Sequence, residues 1–202
     1  MKRGILALLF GVLWLCAAVP TRAEAEIDAE GWDGIQLQDA RGKKVPFASL
    51  RRPVTFMVFW ATWCPPCIKE LSDVRALQKR LGGDKQLHIL SINVDGADAS
   101  GKALNKVVRR QAPGLALLRD PYSVLLGQVV TQSGKTTSLP MLARLDKDGR
   151  LETEVGYDGG ITQAQRLKKW QAWIQRAKRG ELSASGPLPG AQPSSNPPPP
   201  VS

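Results

Sequence analysis

Apolar and polar residues follow one another along this chain in blocks whose period changes repeatedly, and each change marks an element. Residues 53–60 (Pro-Val-Thr-Phe-Met-Val-Phe-Trp) are an unbroken apolar, β-branched and aromatic run. A run of that length and composition predicts a strand covered on both faces. From Cys64 to Leu81 the period becomes helical, with Cys67, Leu71, Val74, Leu77 and Leu81 as the inner stripe and Gly82-Gly83 as the stop. Residues 86–94 read as the next strand, 99–111 as a helix ending near Pro113-Gly114, 115–118 as a short strand and 122–130 as a further helix. Residues 141–145 and 151–155 flank the turn sequence Asp146-Lys147-Asp148-Gly149 and predict a hairpin. Thr162 opens a closing helix that runs to Lys178, amphipathic through Leu167, Trp170, Trp173, Ile174 and Ala177. Upstream, 35–38 and 45–47 surround a turn at 39–42 and predict an N-terminal β-hairpin. Strands alternating with helices and closed by a hairpin imply an α/β fold, a mixed central sheet flanked by helices on both faces.

The two ends do not share this pattern. Met1-Lys2-Arg3 precedes an apolar run from Ile5 to Val19 and then Pro20-Thr21-Arg22-Ala23-Glu24-Ala25. A basic start, about 15 apolar residues and a small-x-small site mark a secretory signal peptide, read here as residues 1–25. The competing reading is an uncleaved membrane anchor at 5–19, shorter than the roughly 20 apolar residues of a span. Leu15 stands where a lipidated Cys16 would need a small residue. Residues 183–202 are rich in Ser, Pro and Gly and finish in Pro197 to Pro200. Such a tail cannot bury a core and favours extended conformations, as a spacer, a docking segment or a solvated end. One domain, residues 26–182, lies between.

Composition then narrows the function. Hydrophobic content of 43% and charged content of 23% suit a soluble globular domain. The net charge is +10, and removing the leader, with Lys2, Arg3, Arg22 and Glu24, leaves +8. The basic residues are scattered or lie on helix faces without interleaved aromatics, which argues against nucleic acid as a partner. Removing Cys16 with the leader leaves only Cys64 and Cys67. A structural disulfide framework would need more cysteines. A zinc site would need about four ligands, and the chain has a single histidine, His88. No metal is expected, and no cofactor other than a redox-active Cys64–Cys67 disulfide.

The chemistry sits in Trp63-Cys64-Pro65-Pro66-Cys67. A cysteine at the first turn of a helix meets unpaired backbone N–H groups and the positive end of the helix dipole. Both favour the thiolate, which is the nucleophile. Cys67 lies one turn on, near enough to close a disulfide. Pro65 and Pro66 fit the first helical turn, where their missing N–H groups cost nothing. The spacing therefore predicts that Cys64 attacks a partner disulfide and Cys67 resolves the mixed disulfide, or the reverse. A stable, unreactive disulfide is the plainer alternative. Trp60 reads as core, Trp63 as a surface contact for partners and His88 as structural.

Phe59-Trp60-Ala61-Thr62-Trp63-Cys64-Pro65-Pro66-Cys67 resembles the active-site segment of the thioredoxin superfamily. More narrowly it is similar to the exported thioredoxin-like reductases of the TlpA/ResA type, from about residue 33 to residue 178. The N-terminal hairpin, Asn93-Val94-Asp95, Leu139-Pro140 and Asp146-Lys147-Asp148-Gly149 belong to that likeness. The resemblance implies a thioredoxin-like fold and a periplasmic, monomeric disulfide reductase serving cytochrome c maturation or related tasks. Its partners would be cysteine-containing exported proteins and a membrane thiol-reductase electron donor. It also implies that Pro140 is cis, faces the disulfide and leaves the backbone at Leu139 free to pair with substrate. Trp63, Pro65, Pro66, Leu139 and Pro140 are accordingly the expected substrate-binding residues. Two departures concern the proton acceptor. Val58 stands where thioredoxins bury an acid, and Gly96 stands where ResA-type proteins place a glutamate, with Asp95 one place earlier as a candidate substitute. Peroxiredoxins share the fold, but their Pro-x-x-x-Thr/Ser-x-x-Cys pattern fails at Met57 and Ala61. A copper carrier or chaperone lacks the expected Met- or His-rich segment, and an oxidase or isomerase would use the same motif.

Overall fold

Each of the seven residues from Val54 to Trp60 is buried, and the rest of the fold is layered on that strand. The computed structural model describes residues 30–182; the predicted leader with Cys16 and the tail from 183 onward lie outside the described residues. The elements run α1 (Glu30–Asp33), β1 (Gln36–Asp39), β2 (Lys44–Pro46), α2 (Phe47–Leu50), β3 (Val54–Trp60), α3 (Pro65–Leu81), β4 (Leu87–Asn93), α4 (Gly101–Gln111), β5 (Leu117–Arg119), α5 (Val124–Ser133), β6 (Met141–Asp146), β7 (Leu151–Val155) and α6 (Gln163–Lys178). The strands form one sheet in the order β2-β1-β5-β4-β3-β6-β7. β3, β4 and β5 are parallel, and the other neighbours are antiparallel.

Alternation along β3 divides the core in two. Val54, Phe56, Val58 and Trp60 meet Leu71 and Val74 of α3, Leu104 of α4, and Leu167, Trp170 and Trp173 of α6. Met57 and Phe59 face the other way, onto Trp32 of α1, Phe47 of α2 and Leu125 and Val129 of α5. Burying a large apolar side chain contributes about 1.5–3 kcal/mol, so a strand covered on both sides is the natural place for the longest apolar run. Phe56 packs on Trp170 and Trp173 with ring centroids 5.9 and 5.8 Å apart, which fixes α6 against the sheet. Thr162 and Gln165 cap α6 reciprocally.

Several boundaries differ from the sequence expectation, each for a local reason. Phe47, expected in the first hairpin, instead opens α2 and buries its ring 5.8 Å from Trp32. The helix expected from residue 99 starts at Gly101, where a Cβ would lie 2.5 Å from the carbonyl oxygen of Ala40. The helix expected from Tyr122 starts at Val124, because the buried Asp120 carboxylate accepts from Val124 N–H at 2.9 Å and Leu126 N–H at 3.0 Å. Ser123, at φ 53°, makes the corner between them.

The topology gathers five loops at one edge. Trp60, Asn93 and Arg119 stand level across β3, β4 and β5, so all three parallel strands end there. β6 begins at that edge, with Met141 opposite Phe59, and β7 ends there, with Val155 opposite Met141. The segments 61–64, 94–100, 120–123, 135–140 and 156–162 therefore share the end of the sheet where α3 begins.

Candidate active site

Cys64 is the N-cap of α3, with Pro65 and Pro66 in the first helical turn as the spacing predicts. It forms a disulfide with Cys67, with Cα atoms 5.3 Å apart. The Cys67 N–H donates to Cys64 Sγ at 3.3 Å, so a backbone donor already points at the sulfur that carries negative charge once the bond is reduced. Cys64 is 5% exposed and Cys67 1%. An incoming disulfide meets Cys64 first, and Cys67 is placed to act from within. Trp63 beside it is 70% exposed, whereas Trp60 is buried and donates its Nε1–H to Ser91 Oγ at 2.9 Å. The peptide bond Leu139–Pro140 is cis. Pro140 is buried and Leu139 half-buried, and Leu139 packs against the core cluster that contains both cysteines. The residues expected to meet substrate, Trp63, Pro65, Pro66, Leu139 and Pro140, thus lie on the disulfide's own edge of the sheet.

Asp95 is buried, and both its oxygens are engaged. Oδ1 and Oδ2 accept from Thr62 N–H at 3.1 and 3.2 Å, and Oδ2 also accepts from Asn93 Nδ2 at 3.1 Å. Asn93 Nδ2 lies 3.4 Å from the Trp60 carbonyl, and Asn93 Oδ1 accepts from Asp95 N–H at 3.1 Å. This closed set of bonds ties the loop before Cys64 to the end of β4. Val58 is buried with no acid at its position, and His88 bonds Leu50 O through Nδ1 at 2.6 Å, a structural contact near the opposite end of β4.

The group that the sequence reading did not single out is Glu70. It lies three residues beyond Cys67 on α3, a spacing that puts Cβ atoms about 5–6 Å apart. Its side chain is 1% exposed, and Oε2 has no hydrogen-bond partner. Burial pushes its pKa up to about 8; the charges of Glu154 and Asp73 push the same way and Arg166 opposes them. One turn further, Asp73 is ion-paired with Arg166 of α6 at 2.7 Å, a contact buried on both sides. Arg166 also donates to the carbonyls of Asp158 and Ile161 and lies over the Tyr157 ring, so α3, α6 and the loop after β7 are tied together. A sequence signal for this cluster existed. Glu70 and Asp73 fall within the helical stripe of Cys67, Leu71, Val74 and Leu77, and Arg166 precedes Leu167 on the stripe of α6.

Comparison with known proteins agrees with this geometry. The model of the AhpC/TSA family matches residues 33–153. The chain is 27% identical over 117 residues to the thiol-disulfide oxidoreductase ResA of Bacillus anthracis, covering 58% of this chain and 62% of that protein. It thus spans less than two thirds of the length of the curated relatives it matches first. Among solved structures, a secreted Mycobacterium tuberculosis disulfide oxidoreductase homologous to E. coli DsbE superposes with a TM-score of 0.56 at 16% identity, over 72% of this chain and 99% of that one. The exposed lipoprotein thioredoxin of Streptococcus pneumoniae gives 0.50 at 25% identity, over 67% and 98%. The fold is thioredoxin-like, as expected.

Proposed function

The chain belongs to the AhpC/TSA family, and from that premise we propose that it is a thiol–disulfide oxidoreductase that reduces disulfides in exported proteins. The observation that carries this reading is the Cys64–Cys67 pair at the N-terminus of α3, with the outer sulfur under a backbone donor and the inner one buried. The likeness to proteins named ResA supports it.

In the reduced protein the Cys64 thiolate attacks one sulfur of a partner disulfide. A Cys64–partner bond forms as the partner's own bond breaks and its second sulfur leaves as a thiolate that takes a proton. The Cys67 thiol then loses its proton and attacks Cys64 Sγ, closing the intramolecular disulfide and releasing the partner's other sulfur as a thiol. Two electrons pass from the cysteine pair to the partner, and an external dithiol donor, a membrane thiol reductase, restores the pair. The proton of Cys67 needs a nearby acceptor. Asp95, the candidate named from sequence, uses its oxygens to brace the loop, whereas Glu70 keeps an unbonded oxygen one turn from Cys67. Glu70, whose ionised fraction grows as pH rises through about 8, is therefore the proposed proton acceptor and Asp95 a positioning residue.

The finer reading adds a setting. Residues 1–25 export the chain or anchor it, 26–182 form the working domain, and 183–202 are a solvated tail, a spacer or a docking segment. Among the described residues no helix is long and apolar enough to cross a membrane. The substrates are then periplasmic cysteine proteins, apocytochromes c awaiting maturation among them.

The reduction potential of the pair, measured by equilibration with dithiothreitol, tests the direction of electron flow. A value near or below about −250 mV is expected of a reductant, and one between about −180 and −120 mV would make the protein an oxidase or isomerase.

A further inference from the structure

Charge is distributed unevenly over this protein, and the redox edge is its exception. The chain carries a net +10, yet the segments 61–64, 94–100, 120–123, 135–140 and 156–162, which meet at the disulfide's end of the sheet, contain four aspartates against one lysine, Lys135. Arg119 and Arg166 reach the edge from neighbouring elements to bond Ala99 O and Asp158 O. Two of the aspartates, Asp95 and Asp120, are buried; Asp98 and Asp158 are exposed. At the other end of the sheet, Arg51, Arg52, Lys85, Lys147, Arg150 and Arg179 lie in the connecting segments and outnumber the acids there, Asp84, Asp148 and Glu181.

The same edge displays the two most exposed aromatic rings among the described residues, Trp63 at 70% and Tyr122 at 75%, with Val124 exposed beside the latter. Neither ring is a floppy ornament. Trp63 sits on the loop that Asp95 clamps. Tyr122 sits on a corner held from below by the Asp120 carboxylate and by the Asp120 N–H bond to Asn93 O at 2.8 Å. The loops that carry them leave level points on β3 and β5, two strand spacings apart, or roughly 10 Å. Three extended residues of a partner cover that distance. Elsewhere the protein spends its aromatic faces on its own cations, with Arg144 3.6 Å from the Trp173 centroid and Arg166 4.2 Å from that of Tyr157. Among the described residues no cation stands over Trp63 or Tyr122.

We propose that this edge selects a cationic partner: an extended, cysteine-bearing segment with lysine or arginine beside its disulfide, held by Trp63 and Tyr122 and steered by Asp98 and Asp158. The proposal rests on the oxidoreductase reading above and names its substrate class. Aromatic faces and carboxylates both attract ammonium and guanidinium groups, and a local field opposite to the molecule's net charge orients such a partner as it arrives. A segment flanked by acids meets the aspartates with like charge, although the protein as a whole would attract it.

Two short peptides decide the matter, identical except for lysines or glutamates flanking an internal disulfide. Each is mixed with the full-length protein, pre-reduced and freed of reductant, and the single-turnover rate is read by thiol labelling. The lysine peptide is expected to react at least about tenfold faster at low ionic strength, a gap that closes as salt rises. The ratio of the two rates is expected to fall severalfold in Tyr122→Ala and in the Asp98→Asn/Asp158→Asn double variant; a ratio cancels any general loss of activity. Equal rates, faster reaction of the glutamate peptide, or a ratio unchanged by both variants would overturn the proposal and leave the oxidoreductase reading in place. Reduction of neither peptide would overturn both.

Discussion

Two buried carboxyls stand within a few residues of the redox centre, and their surroundings are opposites. Asp95, at the end of β4, has donors on both oxygens and ties the Thr62–Trp63 loop to the sheet. Glu70, inside α3, has an oxygen without a partner and a pKa raised to about 8, foremost by burial. A buried acid with its bonds satisfied serves as a fastener. One left unsatisfied carries a standing cost when charged, and the fold bears that cost beside a cysteine whose proton must move. The contrast is the ground for the proposed division, Asp95 for geometry and Glu70 for proton traffic, although only Asp95 stands out in the sequence as a candidate.

The sharpest way to probe this contrast is pH. For Glu70 the folded pKa lies above its usual 4.5, so the folded protein holds that proton more tightly than the unfolded chain. Its contribution to stability is complete below about 4.5 and is lost as pH rises through about 8. The oxidised protein should therefore lose on the order of a few kcal/mol between pH 5 and about 9, read from urea midpoints. Glu70→Gln should flatten that decline. The same variant should slow resolution of a mixed disulfide by Cys67 at and above about pH 8, where Glu70 is ionised and can take a proton. The effect should be smaller near pH 7, and attack by Cys64 should be spared. A parallel decline in the variant would return Glu70 to the role of a packed, inert side chain.

A smaller effect is expected at the other carboxyl. Asp95→Ala strips the acceptor from Thr62 N–H and the Asn93 amide and should cost about 1–2 kcal/mol at neutral pH. That loss should vary little across the range in which Glu70 titrates. Asp95→Asn retains one acceptor and should recover part of it. A strong pH dependence removed by Asp95→Ala would exchange the two roles.

The elements with the clearest period were readable from sequence. β3, α3 and α6 appear where the apolar run and the two helical stripes put them, and the cysteine pair with its prolines follows from helix-terminus chemistry. Pro140 came from family resemblance, because nothing local distinguishes a cis proline from a strand-leading one. The boundaries at Phe47, Gly101 and Val124 escaped because each depends on a partner distant in sequence or on a cap whose direction the residues alone do not disclose. Glu70 escaped for a different reason. Lys69-Glu70 has the composition of a solvated helix surface, and only its register with Cys67 and Leu71 turns it inward. Opposite it, Arg166 occupies the matching inner position of α6, a pairing that exists only once two helices are packed.

The central claim is that Cys64 attacks and Cys67 resolves. Reaction of the reduced protein with 5,5′-dithiobis(2-nitrobenzoate), followed by peptide mass mapping, tests it most directly. Wild type should release both thiolate leaving groups and end with the Cys64–Cys67 disulfide. Cys67→Ser should stop at a stable adduct on Cys64, and Cys64→Ser should react far more slowly at Cys67. An adduct forming equally fast on Cys67 in the Cys64→Ser protein, or no lasting adduct in Cys67→Ser, would contradict the account.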